Sequence, residues 1–334
     1  MTHFSKAEAK DWFRRLLTEK IPFQEAQTTL IHMRKRAETA QELLGLLEVV
    51  REQDERKNPS LKRLHEEKCP HSLDLCGTGG DQLGTFNVST ATAFVAAACG
   101  VRVAKHGNRS ISSRSGSSDV LEALGVKIDL KPARMHNIFN RCGVAYLHAP
   151  LYHPCLTTIQ PLRKKISGRT IFNLIGPLLN PYRVEYQMIG LIHSNLFSLY
   201  RKVVRSLTLK RCLLVSGEEG LDEVSLCGFT NMIDISRSGT KRLCFHPRTL
   251  GIDTVRLEDL KGGSPRQNAQ MILSILTNED LGPKRQMVLI NTAFALKTAR
   301  RVKSSREGYF LADHALQSGR AYQKFKLFRE LTQR

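Results

Sequence analysis

Residues 74–125 read DLCGTGGDQLGTFNVSTATAFVAAACGVRVAKHGNRSISSRSGSSDVLEALG, and the fold is decided there. Three polar, glycine-bearing loops fall within about fifty residues, each beside an apolar segment. Leu73, Leu75 and Cys76 read as the end of a strand leading into Gly77-Thr78-Gly79-Gly80-Asp81. Glycines leave backbone N–H groups open to a ligand. Asn87-Val88-Ser89-Thr90 then leads into an alanine-rich helix with Asn, Ser or Thr near its N-cap. A helix N-terminus offers free N–H groups and partial positive charge, which suit an anion.

Val101, Val103 and Ala104 predict a second strand, which delivers Lys105-His106-Gly107-Asn108-Arg109-Ser110. Ser112, Ser113, Arg114, Ser115, Gly116 and Ser117 follow, before a helix from Asp119 to Leu124. A turn needs no such density of cations and hydroxyls, whereas a diphosphate ligand does.

The blocks GTGGD, NVST and KHGNRSxSSxSGSxDVLEALG resemble the anthranilate phosphoribosyltransferases of tryptophan biosynthesis. The resemblance continues through Arg163, RTIFNLIGPLLNP (169–181), GLDEVS (220–225) and GGSPRQNA (262–269). It spans nearly the whole chain in the family's order, and KHGNRS separates it from the pyrimidine nucleoside phosphorylases, which share the fold.

The resemblance implies transfer of a phosphoribosyl group from 5-phosphoribosyl 1-diphosphate to the amine of anthranilate, with release of pyrophosphate. It implies that Gly77, Gly80, Asp81, Thr85, Asn87, Val88, Ser89 and Thr90 bind the sugar diphosphate. Lys105, His106, Gly107, Asn108, Arg109, Ser110, Ile111, Ser112, Ser113 and Ser117 join them. Gly77, Asn108, Arg163 and Pro177 are expected at anthranilate, with Arg163 on its carboxylate and His106 as a wall or weak proton relay. Asp222 and Glu223, with the Ser89 hydroxyl, are expected to contact Mg²⁺, which suits oxygen ligands and phosphate partners. In a regular strand adjacent carboxylates point apart; in the turn beside Gly220 they can converge. His106, Arg163, Asp222 and Glu223 are the catalytic candidates, while Cys155, His136 and His148 read as structural.

The chain departs from the family pattern at Gln82, Arg114, Ser167-Gly168, Ser216 and Arg266-Gln267, and at none of the residues assigned to phosphate, metal or carboxylate.

Outward from this stretch, residues 7–50 carry apolar stripes at helical spacing. They predict a small N-terminal helical unit, with Pro22 at the first position of a helix. Residues 51–72, with Pro59 and Pro70, read as a polar linker. Beyond Leu73 strand-like and helix-like segments alternate. The expected fold is α/β: a helical domain over 1–70, joined by part of 155–185, and a large domain over 71–334 with a central mixed sheet flanked by helices. The family is usually homodimeric through its helical domain, so the same is expected here.

The 334 residues carry 51 Lys and Arg against 31 Asp and Glu, a formal charge of +20. Nucleic acid is one partner such a charge raises. The charge is spread along the chain without interleaved stacking aromatics, which favours a solvated basic surface that steers anionic substrates. Two competing readings are a transferase with a different aromatic acceptor and a basic, nucleic-acid-binding paralogue without catalysis. No apolar run approaches the about 18 residues of a membrane span, and residues 1–6 lack a signal-peptide core. The eight cysteines show no metal spacing and read as buried hydrophobes in a reducing cytoplasm.

Overall fold

A computed structural model describes residues 2–66, 68–79, 83–110 and 114–334. The chain opens with four helices: α1 (Lys6–Leu17), α2 (Phe23–Lys35), α3 (Ala40–Lys57) and α4 (Ser60–Glu66). Helices α1 and α3 each start on a capping box, Ser5 with Glu8 and Thr39 with Glu42. These boxes satisfy two N-terminal N–H groups apiece. Pro22 is the N-cap of α2, one residue before the expected position.

The expected linker is mostly helical: α3 continues to Lys57, α4 follows Pro59, and β1 (Lys68–Gly77) begins before Leu73. Polar sequence was misleading here because part of it is buried. Gln53 and Asp54 face inward from α3. Pro70 is accommodated where the ladder between β1 and its neighbour shifts register, between Cys69 and Leu73.

The next elements are α5 (Val88–Ala98), β2 (Arg102–Gly107), α6 (Ser117–Ala123), α7 (Pro132–Cys142), β3 (Val144–His148), α8 (Ala149–Tyr152), α9 (Gln160–Lys165) and α10 (Ile171–Leu174). They are followed by β4 (Arg183–Gly190), α11 (Phe197–Val204), β5 (Arg211–Gly217), β6 (Thr230–Ser236) and β7 (Gly239–Phe245). Four helices close the chain: α12 (Pro265–Leu276), α13 (Pro283–Thr298), α14 (Ser305–Gln317) and α15 (Arg320–Gln333).

The seven strands form one mixed sheet in the order β3-β2-β1-β4-β5-β6-β7. The first five are mutually parallel, and β6 and β7 are antiparallel additions. Alternating side chains feed two cores. On β5, Leu213 and Val215 join α5, α13 and α15, whereas Cys212 and Leu214 join the N-terminal helices, residues 155–179 and α11. No disulfide joins any of the eight cysteines among the described residues; five are buried, but Cys244 on β7 is exposed, contrary to the buried reading. Among the described residues no helix is long and apolar enough to cross a membrane.

The connectivity places the site. Strand β1 has β2 on one side and β4 on the other. The chain therefore leaves β1 in one direction and returns on its opposite flank. In open α/β sheets, ligands bind where the strand order reverses, at the carboxyl ends of the strands. Here those ends are Gly77, Gly107 and Gly190.

Candidate active site

Gly77 and Gly190 are direct partners across the β1–β4 ladder. Both are glycine because the loop carrying Asp222 crosses them. A Cβ on Gly190 would lie 1.7 Å from the Asp222 carbonyl oxygen, and one on Gly77 would lie 2.3 Å from Asp222 Oδ2. The Thr78 N–H donates to the Gly190 carbonyl (2.9 Å) and the Gly79 N–H to Asp222 Oδ2 (3.1 Å). The glycine loop is thus tied to the acidic loop. Ser89, Asp222 and Glu223 line one small cavity with Gly77, Gly190 and Asn291. Asn291 on α13 brackets Val224, donating to its carbonyl and accepting from its N–H, both at 2.9 Å. That clamp holds the backbone immediately after Glu223.

Lys105 is buried beneath this cavity. Its Nζ donates to the Leu75 carbonyl (2.6 Å) and to Ser89 Oγ (3.0 Å). The ammonium therefore supports Ser89 as well as supplying positive charge. The Ser89 hydroxyl hydrogen is not used in that bond.

Asn87 occupies the N-cap of α5 without a side-chain cap bond. Its amide instead donates to the Ser115 carbonyl (3.1 Å) and accepts from Asn268 Nδ2 (2.9 Å). Asn268 Oδ1 in turn accepts the Gly263 N–H (2.7 Å). Thr85 bridges Lys261, and the Gly262 N–H donates to the Gly84 carbonyl (2.8 Å). The GGSPRQNA block is therefore the scaffold of the NVST and SGS loops. Val88 and Thr90 bury their side chains, and their N–H groups donate to the Phe86 and Asn87 carbonyls.

The KHGNRS block is fixed from below by a buried acid. Asp74 accepts the His106 N–H (3.1 Å) and Gln187 Nε2 (3.1 Å). Burial pushes its carboxyl above the usual range, while hydrogen bonds from its neighbours oppose that rise. His106 Nδ1 lies 3.2 Å from the Gly176 carbonyl and so must donate to it. Its Nε2 is buried and unpartnered among the described residues. Burial first, and the neighbouring His153 second, hold the ring well below its usual pKa, so it is neutral. The bond to Gly176 seats His106 beside Pro177, and Gln187 Nε2 secures the Pro177 carbonyl (2.6 Å).

Further along, Arg109 reaches away from the strand ends to Glu122 and Asp119, at 2.6 and 3.0 Å. The Ser110 and Gly116 N–H groups donate to Asp119 Oδ2. Asn108 is exposed, Gly107 ends β2, and Ser117 opens α6. Gly80, Asp81, Ile111, Ser112 and Ser113 lie outside the described residues. Arg163 projects from α9, half-buried, its guanidinium without a hydrogen bond or ion pair among the described residues. Burial alone holds its guanidinium below the usual value. A cation removed from water without a protein carboxylate is suited to an anionic ligand.

Sequence reasoning passed over Asp74, Gln187, Gly190, Asn291, Asp54 and His153. For the first two a signal existed: an acid and an amide inside apolar strand runs must be paired once buried. His153 stacks edge-to-face on His106 with ring centroids 5.0 Å apart.

Residues 69–322 match the glycosyl transferase family, a/b domain. The class is thus a glycosyltransferase built on a mixed α/β sheet. The chain is 40% identical over 319 residues to the anthranilate phosphoribosyltransferase of Syntrophomonas wolfei, covering 96% of this chain and 91% of the relative. It is similar in fold to the anthranilate phosphoribosyltransferase of Thermus thermophilus, with TM-score 0.89, 32% identity, and 100% and 97% of the two chains covered. The Saccharomyces cerevisiae enzyme in complex with PRPP and Mg superposes with TM-score 0.87 at 25% identity, covering 98% and 93%. The chain belongs to the anthranilate phosphoribosyltransferase family.

Proposed function

We propose that this chain carries out its family's reaction with the residues gathered at the ends of β1, β2 and β4. The reaction joins the amine nitrogen of anthranilate to C1 of 5-phosphoribosyl 1-diphosphate and expels pyrophosphate. The observation that carries the assignment is the convergence of Ser89, Asp222 and Glu223 on one cavity beneath the glycine loop.

The donor set fits Mg²⁺. It consists of two carboxylates and a hydroxyl, all hard oxygen ligands, with backbone N–H groups nearby for phosphate. Among the described residues no group of three His, Cys, Asp or Glu side chains could hold a metal alone. Mg²⁺ commonly binds through one or two carboxylates and completes its shell with substrate phosphates and water. The ion, when bound, offsets the negative charge of the leaving pyrophosphate.

The chain's own residues do the rest. The Gly77–Gly79 loop and the start of α5 receive the diphosphate. Lys105 adds positive charge and keeps Ser89 in place. Arg163 takes the anthranilate carboxylate through its planar fork, which a lysine could not reproduce. Pro177 and His106 wall the ring. Arylamine nitrogen is neutral at pH 7 and needs orientation more than deprotonation before attack, and positioning of this kind can supply much of a rate enhancement.

The division into a helical domain of residues 1–70 with part of 155–185, and a large domain of 71–334, belongs to the same reading. It is supported by the core that joins α1–α3 to residues 155–179. Homodimerisation through the helices is the corresponding proposal for assembly, tested by sedimentation. The +20 charge serves to attract two anionic substrates.

Asp222→Asn with Glu223→Gln tests the assignment. The expected result is turnover at least about 100-fold lower, with the Mg²⁺ concentration for half-maximal activity raised. Unchanged Mg²⁺ dependence would remove both residues from the metal site.

A further inference from the structure

Two imidazoles meet at the Gly107 end of β2, and only one of them has an acid behind it. His106 Nδ1 donates to a carbonyl, that of Gly176. His153 Nδ1 lies 2.8 Å from Asp54 Oδ2. The Asp54 side chain is fully buried, and its other oxygen accepts the Cys155 N–H at 3.0 Å. Both carboxylate oxygens are therefore used on the turn 153–155, and the His153 ring has one orientation. That ring stands at 88° to His106.

We propose that Asp54, on helix α3, is a positioning residue for the transfer reaction: it fixes His153 with Nδ1–H toward the helical layer and Nε2 as the acceptor of the amine proton. This inference rests on the reaction proposed above. The chemistry follows from the hydrogen bonds. A carboxylate accepts, so the His153 ring carries a hydrogen on Nδ1, and in its neutral form Nε2 is bare. His106 Nε2 is bare for the same reason, and both Nε2 atoms are buried without partners among the described residues. Buried acceptors left unpaired are costly and rare unless a ligand completes them. An arylamine brings two N–H groups.

As the nitrogen forms its bond to C1, the C1–O bond breaks and its electron pair leaves with pyrophosphate. The nitrogen then carries an excess proton, which passes to His153 Nε2 and later to water. Asp54 stabilises the imidazolium that results, as a buried acid behind a histidine does in other active sites. His106 lacks such an anion and is held neutral by burial. Of the two rings, only His153 has a carboxylate on its Nδ1 to stabilise an imidazolium. Among the described residues, Lys57 Nζ reaches the Pro154 carbonyl (3.5 Å), and the His65 imidazole, paired with Glu55 (2.8 Å) and kept low in pKa by burial, also lies near His153. Lys105 lies behind His106.

The test is Asp54→Asn. An amide at this place can donate to His153 Nδ1 and so favours the wrong tautomer. The expected result is kcat lower by about 10² to 10⁴, with the KM for 5-phosphoribosyl 1-diphosphate changed little and the acid limb of the pH–rate profile displaced. Unchanged kcat, or equal losses in both KM values with the same pH profile, would overturn the proposal. Nitrogen NMR of the unsubstituted protein gives a second measurement that needs neither activity nor a variant. It is expected to find the His153 proton on Nδ1, and a proton on Nε2 alone would overturn the proposal even if the enzyme consumes anthranilate. If the protein consumes no anthranilate but His153 carries Nδ1–H, the reaction assignment fails and the tautomer stands.

Discussion

The glycine pair at the ends of β1 and β4 makes a sharp demand on the sequence. Gly190→Ala places a Cβ 1.7 Å from the Asp222 carbonyl oxygen, 2.6 Å from its carbonyl carbon and 3.0 Å from its Cβ. Two of these three contacts are with backbone, so no side-chain rotation relieves them. The loop must retreat by roughly 1.5 Å to restore ordinary van der Waals separation. That movement pulls Asp222 from the Gly79 N–H and disturbs the neighbouring Glu223. Overpacking of this kind costs about 1–3 kcal/mol of stability. The catalytic cost is larger, because a displacement of about 1 Å in a reacting constellation can lower a rate about 100-fold. Gly228→Ala is the control, since a Cβ there meets nothing within 4 Å. Anthranilate fluorescence reports turnover, and urea titration reports stability. The expectation is a kcat/KM at least about 100-fold lower for Gly190→Ala, with the control close to unsubstituted protein. Full activity and stability in Gly190→Ala would refute the placement of the Asp222 loop over β4.

Arg163→Ala should raise the anthranilate KM about 10- to 100-fold, the loss of a charge-assisted hydrogen-bond pair, and leave the KM for the sugar diphosphate nearly unchanged. Steady-state kinetics with each substrate varied in turn checks this, and equal effects on both would count against the carboxylate assignment. Stability should also fall on acidification below about pH 6.5. Burial lowers the pKa of His65, His106 and His148, so below that pH the unfolded chain binds protons that the folded chain refuses. Stability is retained above the unfolded value of 6.5 and lost as pH falls toward the folded values, by about 1.4 kcal/mol per pH unit for each histidine still neutral. Urea midpoints at pH 7.5 and 5.5 measure it, and a midpoint that rises on acidification would contradict the sign.

The sequence made the glycine-bearing loops at the strand ends legible because their composition is abnormal for turns. GTGG, NVST and KHGNRS declare themselves, and the strands before them have clear apolar runs. Residues 51–72 were opaque for the opposite reason. Asp54 sits in a run of charges that looks solvated, yet it is buried because its partner, His153, lies 99 residues away. No local pattern carries that information. Asn291 likewise looks like one more helical polar residue, and its task is set by Val224, 67 positions earlier. Asn87 stands at the N-cap of α5 as its sequence suggests, but its side chain makes no cap bond, because its partners Ser115 and Asn268 come from other loops. Strand β7 escaped notice since Thr240–Cys244 are mostly exposed and basic, as suits a sheet edge.

The central claim is the reaction itself, and anthranilate fluorescence followed with 5-phosphoribosyl 1-diphosphate and Mg²⁺ tests it most directly. The account predicts a loss of fluorescence matched by pyrophosphate release and abolished by a chelator. Persistence of the fluorescence, with the sugar diphosphate bound and Mg²⁺ present, would contradict it.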